Sequence, residues 1–215
     1  MIIAVDGPAA AGKGTLARGL AQRFELAYLD TGSLYRTVAA RLIHLGHNYN
    51  NEEAANVASS LCQIDTNDPI LRDEQTGVVA SKIATFPKVR EALRDYQRNF
   101  AFNPPNGALG SVLDGRDIGT TVCPDADVKF FVTASLEIRA ERRAREIAAN
   151  GQPENLKIVR AKLEERDARD MLRATAPLRP APDAHLLDTT NLDIETALTE
   201  AESLILARMS RPNWP

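Results

Sequence analysis

The stretch Gly7-Pro8-Ala9-Ala10-Ala11-Gly12-Lys13-Gly14-Thr15 decides how the rest of this chain is read. Ahead of it runs Ile2-Ile3-Ala4-Val5, an apolar segment of the kind that forms a short buried strand. Behind it, apolar residues at 16, 20, 21 and 24 keep helical spacing. Strand, glycine-rich turn and helix form the setting in which a loop cradles phosphate. The glycines let successive N–H groups turn into one hollow. The helix then opens onto that hollow with its unpaired donors and positive dipole end. Lys13 would stand beside the outer phosphates, and the Thr15 hydroxyl within reach of a magnesium ion. A plain strand-to-helix turn has no need of three Gly, a Lys and a Thr in this register. In one respect the loop departs from the usual pattern, which places Ser or Thr directly after the Lys: here Gly14 intervenes.

At 215 residues the chain suits one α/β core with small appendages. No apolar run approaches the roughly 18 residues that span a membrane. The strand at the N-terminus leaves no room for a signal peptide. Cys62 and Cys123, like His44, His47 and His185, lack metal-ligand spacing. The expected setting is cytoplasmic, with no membrane partner. A net charge of −3 argues against a nucleic-acid partner. Charge is unevenly spread, however: residues 139–179 hold nine Arg and two Lys against seven acidic residues, a local +4. Such a segment in an acidic chain reads either as a site for a small anion or as a solvated pair of charged helices.

Strands are expected at Ile2–Val5, Leu26–Leu29, Leu109–Leu113, Val128–Val132 and His185–Asp188. Helices are expected at 16–24, 34–45, 51–61, 89–100, 136–149, 154–173 and 194–209, with Gly46 stopping the second and Asn51 capping the third. Residues 63–81 are turn-rich around Ile70-Leu71-Arg72 and Val78-Val79-Ala80, and read as an insertion of weak strands. Alternation of this kind implies an α/β fold, a five-stranded parallel sheet with helices on both faces. Ligands of such sheets sit at the carboxyl ends of the strands. Asp6-Gly7, Asp30-Thr31-Gly32, Asp114 to Asp117 and Asp188 all fall there.

These strand ends carry the remaining chemistry. Asp30-Thr31-Gly32-Ser33-Leu34-Tyr35-Arg36 reads as a second anion site opposite the loop, or as a helix cap that leaves Arg36 unexplained. Arg116 offers a fork for phosphate and Asp117 an acceptor for an amino group or ribose, unless the two serve an internal ion pair. Arg166, Asp170 and Arg173 share one helical face with Arg169 beside them, and Arg139, Arg142 and Arg143 form a similar face. Two short helices joined at Gly151 and facing the loop are what a closing, water-excluding lid requires for phosphoryl transfer.

Together these segments resemble the nucleoside monophosphate kinases of the P-loop class, and within them the bacterial cytidylate kinases. The loop in its Gly-Lys-Gly-Thr form, Asp30 to Arg36, Arg90 in Pro87-Lys88-Val89-Arg90-Glu91-Ala92-Leu93, Asp114-Gly115-Arg116-Asp117-Ile118-Gly119-Thr120 and Glu165 through Arg173 occur in the family's order over nearly the whole length. The resemblance implies a single kinase domain, 1–215, with an acceptor-binding region at 31–100 and an Arg-rich lid at 139–179. It implies direct in-line transfer of the γ-phosphate of ATP to CMP or dCMP, with Mg2+ and without a phospho-enzyme, by a monomer. ATP would lie on Gly7, Pro8, Ala9, Ala10, Ala11, Gly12, Lys13, Gly14 and Thr15, with Thr15 touching the metal. Ser33 and Arg36 would hold the acceptor near its phosphate. Ser81, Arg90 and Asp117 would read cytosine, and Asp170 would contact the pentose. Lys13, Arg116, Arg166 and Arg173 would stabilise the phosphates in transfer, Arg116 and Arg173 also touching the acceptor. Cytosine pairs an exocyclic amino donor with acceptors, so an Asp and an Arg together can tell it from uracil. The chain departs from the family pattern at Ala10, where Gly is frequent, at Leu172, where Asn is frequent, and in a shorter 63–81 segment. Two rival readings share the loop: a kinase of UMP, AMP or a non-nucleotide alcohol, and a nucleotide-dependent switch.

Overall fold

Alternate residues of the first strand feed two different cores. In the computed structural model, which describes residues 1–46, 51–60, 69–149 and 151–210, strand β1 (Ile2–Asp6) sends Ile3 and Val5 to one side of the sheet and Ala4 to the other. Strands β2 (Ala27–Asp30), β3 (Ser111–Gly115), β4 (Val128–Thr133) and β5 (His185–Asp188) complete a five-stranded sheet in the order β2-β3-β1-β4-β5. Every pairing is parallel. Burial on both faces explains why β1, with Ile2-Ile3-Ala4-Val5, reads as a continuous apolar run and not as an alternating one.

Helices α1 (Lys13–Arg23) and α8 (Ile194–Met209) cover one face through Leu16, Leu20, Leu198 and Ile205. On the other face lie α2 (Thr31–His44), α3 (Asn51–Ser59), α4 (Glu74–Ile83) and α5 (Pro87–Phe102), which contribute Leu34, Leu42, Ala54, Ile83 and Leu93. Each such leucine or isoleucine, fully buried, contributes roughly 1.5–3 kcal/mol, so neither layer is optional. Helices α6 (Leu136–Ala149) and α7 (Leu156–Leu172) form a hairpin with its own small cluster: Ala140, Ile147, Val159 and Leu163, joined by Ala9 and Ala10 of the glycine-rich loop. The chain leaves β1 toward β2, then returns to place β3 between them and β4 beyond. The resulting switch point lies at the carboxyl ends of β1 and β3, where a crevice is built in.

The sheet, both helical layers and the ends of α6, β5 and α8 match the sequence expectation. Residues 69–83 do not. Ile70 to Arg72 lie in a short 3-10 turn, and Val78-Val79-Ala80 fall inside α4. Asp73 caps α4 by accepting from the Thr76 N–H at 3.2 Å, and Thr76, Gly77, Val79, Ala80, Ser81 and Ile83 form its buried face against α2. Packing thus overrides the strand preference of two adjacent valines. Helix α2 starts three residues earlier than expected, because the Thr31 hydroxyl bonds the Asp114 carbonyl at 2.7 Å and starts the turn there. Strand β3 is shifted two residues on, leaving Leu109 87% exposed. Leu172, at the end of α7, is also exposed. Cys62, residues 63–68 and the tail from 211 lie outside the described residues.

Candidate active site

Gly7 leaves β1 at φ +148, and a Cβ there would stand 1.9 Å from the Val132 carbonyl oxygen of β4. Only glycine lets the loop cross so close to the sheet. Gly12 precedes α1 in a left-handed conformation, φ +88, with no side-chain cap. The first N–H groups of α1 are therefore left to a ligand. Ala10 also has φ +60, a conformation costing an L residue roughly 1–2 kcal/mol. Its methyl packs with the cluster of the α6–α7 hairpin, which gives an alanine a use where glycine would be easier.

Lys13 is buried, and its ammonium donates to the Pro8 carbonyl at 2.8 Å. Burial, aided by the positive charge of Arg116, lowers its pKa from the ordinary lysine range. Its neighbour Asp114 is shifted the opposite way by burial, with Asp30 adding to the shift. Gly14 is explained by the same corner. A Cβ on it would lie 3.1 Å from the Asp114 carboxylate and 3.4 Å from the Arg18 guanidinium. The insertion of glycine after the lysine thus makes room for a carboxylate beside Thr15.

The loop, the ends of β2 and β3, and α7 enclose a cavity of about 430 Å³. At its far end Asp117 is held by two arginines: Arg90 at 2.5 Å from Oδ2 and Arg173 at 3.3 Å from Oδ1. Arg90 also lies over the Tyr35 ring, 5.9 Å from its centroid. Asp117 begins a wide π turn, Ile118–Val122, whose first two N–H groups both bond the buried Asp6 carboxylate at 2.8 Å. Desolvation nevertheless pushes Asp6 up to about 7. Arg116 Nε meets Asp170 at 3.1 Å. Burial alone would raise the Asp170 pKa, but Arg116, Arg166 and Arg173 outweigh it and hold the carboxyl below its usual range. Arg166 has a buried Nε with no hydrogen-bond partner among the described residues, 4.0 Å from Asp170 Oδ2, and burial beside Arg116, Arg36 and Arg143 lowers its pKa. Seven arginines and Lys13 therefore converge on a cavity lined by five carboxylates, too few to neutralise them, which suits an anion.

A family model described as cytidylate kinase matches residues 3–206. A cytidylate kinase of Methylocella silvestris is 52% identical over 202 residues, covering 94% of this chain and 92% of that protein. One of Rhodospirillum rubrum is 50% identical over 206 residues, covering 95% and 97%. The chain belongs to the cytidylate kinase family. A solved structure of an uncharacterised protein from Eubacterium ventriosum shares the fold, with a TM-score of 0.53 at 13% identity over 98% of this chain and 99% of that one.

The cavity of this cytidylate kinase family member takes in most of the residues that the sequence singles out. Ala9, Ala10, Gly12, Lys13, Gly14, Thr15, Arg36, Arg90, Arg116, Asp117, Arg166, Asp170 and Arg173 all line it. Gly7, Pro8 and Ala11 support the loop from behind, Pro8 through Lys13 and Ala11 through a 3.0 Å bond from the Thr189 hydroxyl. Ser33 and Ser81 do not open onto it in this conformation. Ser33 is buried and donates to the Asp30 carbonyl at 2.6 Å, while Ser81 accepts from Arg169 at 2.9 Å. Arg169 thus faces α4 and not the cleft. Of the arginines expected on α6, Arg143 reaches the cavity. Arg142 instead bonds Thr189, at 2.9 Å to its hydroxyl and 2.7 Å to its carbonyl. Arg139 is buried in an ion pair with Asp167, 2.6 Å apart.

Sequence reasoning placed Asp30 and Asp114 at the strand ends where ligands sit but gave them no role, and it missed Arg18 and Tyr35 as walls. It also missed a second cavity of about 630 Å³ on the outer side of the loop, between Gly12, Thr15, Arg142, Thr190 and Asp193. The strand-end position of Asp30 and Asp114 was the available signal for the first pair. Nothing in the sequence marked the second cavity, because its walls come from three separate stretches, within residues 10–16, 138–146 and 189–197.

Proposed function

We infer that the chain transfers the γ-phosphate of ATP to CMP or dCMP by direct in-line attack of the acceptor phosphate. The observation that carries this reading is the paired arrangement in one cleft: a phosphate loop with free helix donors at one end, and the Arg90–Asp117–Arg173 cluster at the other. The donor triphosphate lies on residues 7–15 and its nucleoside in the outer cavity beside Arg142. Arg36 holds the acceptor phosphate with Ser33 behind it. Asp117 accepts from the cytosine amino group while Arg90 meets its other edge, Ser81 joining it once turned from Arg169, and Asp170 takes the pentose. Lys13, Arg116, Arg166 and Arg173 stabilise charge on the transferring group, a role suited to fixed cations in a dry cavity. Residues 31–100 act as the acceptor region and 139–179 as the lid of a single kinase domain.

Magnesium fits this corner on the chemistry of its donors. Asp114, Asp30 and Thr15 offer hard oxygens at the loop, and the space that Gly14 leaves is filled by the Asp114 carboxylate. The described residues contain no cluster of three ligands able to cage a metal alone. That suits Mg2+, which binds by one or two carboxylates and substrate phosphates. Asp114, Asp30 and Thr15 would hold the ion beside the loop, where it would supply positive charge to the phosphates. The same reading takes the enzyme as a cytoplasmic monomer without nucleic-acid or membrane partners. The acidic total speaks against a nucleic-acid partner, and no helix among the described residues is long and apolar enough to cross a membrane.

The test follows the label of γ-labelled ATP in the presence of CMP. Appearance in CDP is expected. Appearance only in inorganic phosphate, at a rate CMP does not change, would favour the switch reading.

A further inference from the structure

Arg139 was expected to face the cleft and instead binds three elements at once. Its Nε donates to the Ala134 carbonyl at the end of β4, 2.9 Å away. Its Nη1 lies 3.4 Å from the Ala9 carbonyl of the phosphate loop and 2.6 Å from Asp167 Oδ2 on α7. Both side chains are nine-tenths buried or close to it, at 8% and 11% exposure. Asp167 Oδ1 has no partner among the described residues, so Arg139 is the point at which this carboxylate is fastened.

Helical geometry shows what that fastening sets. At about 100° per residue, Arg166 and Asp170 lie roughly 100° and 60° to the same side of Asp167, while Lys162 and Arg169 lie nearly opposite. The first pair reaches the cleft. The second pair meets α4, Lys162 at Glu74 and Arg169 at Ser81. Helix α7 is thus held between two sides, and the rotational phase of its cleft-facing residues depends on where Asp167 is pinned. A side-chain tip lies about 6 Å from a helix axis, so a rotation of about 10° moves it about 1 Å. A displacement of that size can cost on the order of a hundredfold in rate.

We propose that Arg139 and Asp167 are positioning residues that set the phase of α7 against the phosphate loop, aiming Arg166 and Asp170 and keeping the lid shut to water. The inference rests on the placement of Arg166 in the transfer site. The pair touches no substrate. Its loss loosens the lid, so acceptor transfer falls, while ATP hydrolysis, which uses the same arginines but gains from the water admitted, falls less.

The test measures CDP formation and acceptor-free ATP hydrolysis in the full chain carrying Asp167→Asn, which keeps the shape and removes the charge, and in Arg139→Lys. The expected result is a fall of about tenfold or more in transfer, with the ratio of hydrolysis to transfer rising and KM for ATP nearly unchanged. Because unfolded molecules contribute to neither reaction, the ratio remains decisive even if a variant is less stable. An unchanged ratio, or equal loss of both activities, overturns the positioning role. Arg166→Ala separates the two levels. Loss of transfer there beside normal Asp167→Asn overturns the positioning role alone. Normal transfer in Arg166→Ala overturns the site assignment and the positioning role with it.

Discussion

Substitution of Asp117 gives the sharpest consequence of this geometry. Both its oxygens are engaged, by Arg90 at 2.5 Å and Arg173 at 3.3 Å, and its side chain is only 7% exposed. Asp117→Ala leaves two buried guanidinium groups facing each other without a counter-charge. Breaking a buried pair in this way typically costs about 3–5 kcal/mol. For a chain of this size that corresponds to a fall in Tm of roughly 6–20 °C, taking about 2–4 °C per kcal/mol. The acceptor site also loses a charged hydrogen bond to the cytosine amino group, worth about 1.5–3 kcal/mol. KM for CMP should therefore rise about 10- to 150-fold, while KM for ATP, bound at the other end of the cleft, changes little. Asp117→Asn separates charge from shape. Its amide can donate to the uracil O4 that the carboxylate repels, so the preference for CMP over UMP should shrink at least about tenfold. Steady-state kinetics with both acceptors, beside a thermal melt, measure all three quantities. Equal changes in the CMP and ATP constants, or an unchanged CMP/UMP ratio in Asp117→Asn, would refute a base-reading role.

Lys13→Ala should lower kcat by two or more orders of magnitude with the fold intact, as judged by circular dichroism, because it removes a fixed cation from the transferring charge. Gly14→Ala places a methyl group 3.1 Å from the Asp114 carboxylate, so the Mg2+ concentration needed for half-maximal rate should rise several-fold; an unchanged requirement would remove Asp114 from the metal corner. The depressed pKa of Lys13 carries a signed pH effect. In the free protein part of the amine is neutral above pH 7, and an arriving triphosphate restores the charged form, so ATP binding at pH 8 should take up protons. Calorimetry in two buffers of different ionisation enthalpy reads that uptake, and it should diminish in Lys13→Met.

The sheet and its coverings were legible because each rests on a local pattern: apolar runs for strands, helical spacing for α6 and α8, and a loop whose glycines have no other reason to be there. Gly14, a departure from the motif at the level of sequence, became intelligible only when Asp114 was seen in the space it leaves. What could not be read was direction. Arg139, Arg142 and Arg143 share a sequence cluster, yet one is buried against Asp167, one bonds Thr189, and one enters the cleft. Their destinations depend on α7 and on the loop after β5, tens of residues away. Val78 and Val79 misled for a similar reason, since the helical state of this segment is fixed by the face it packs on α2, which includes Val79 but not the exposed Val78.

The most direct measurement is kcat/KM for ADP formation across a panel of acceptors, with CMP, dCMP, UMP, AMP and a non-nucleotide alcohol assayed at the same MgATP concentration. The Arg90–Asp117–Arg173 cluster calls for CMP or dCMP to exceed every other acceptor by at least two orders of magnitude. A preference for AMP, UMP or the alcohol would contradict it.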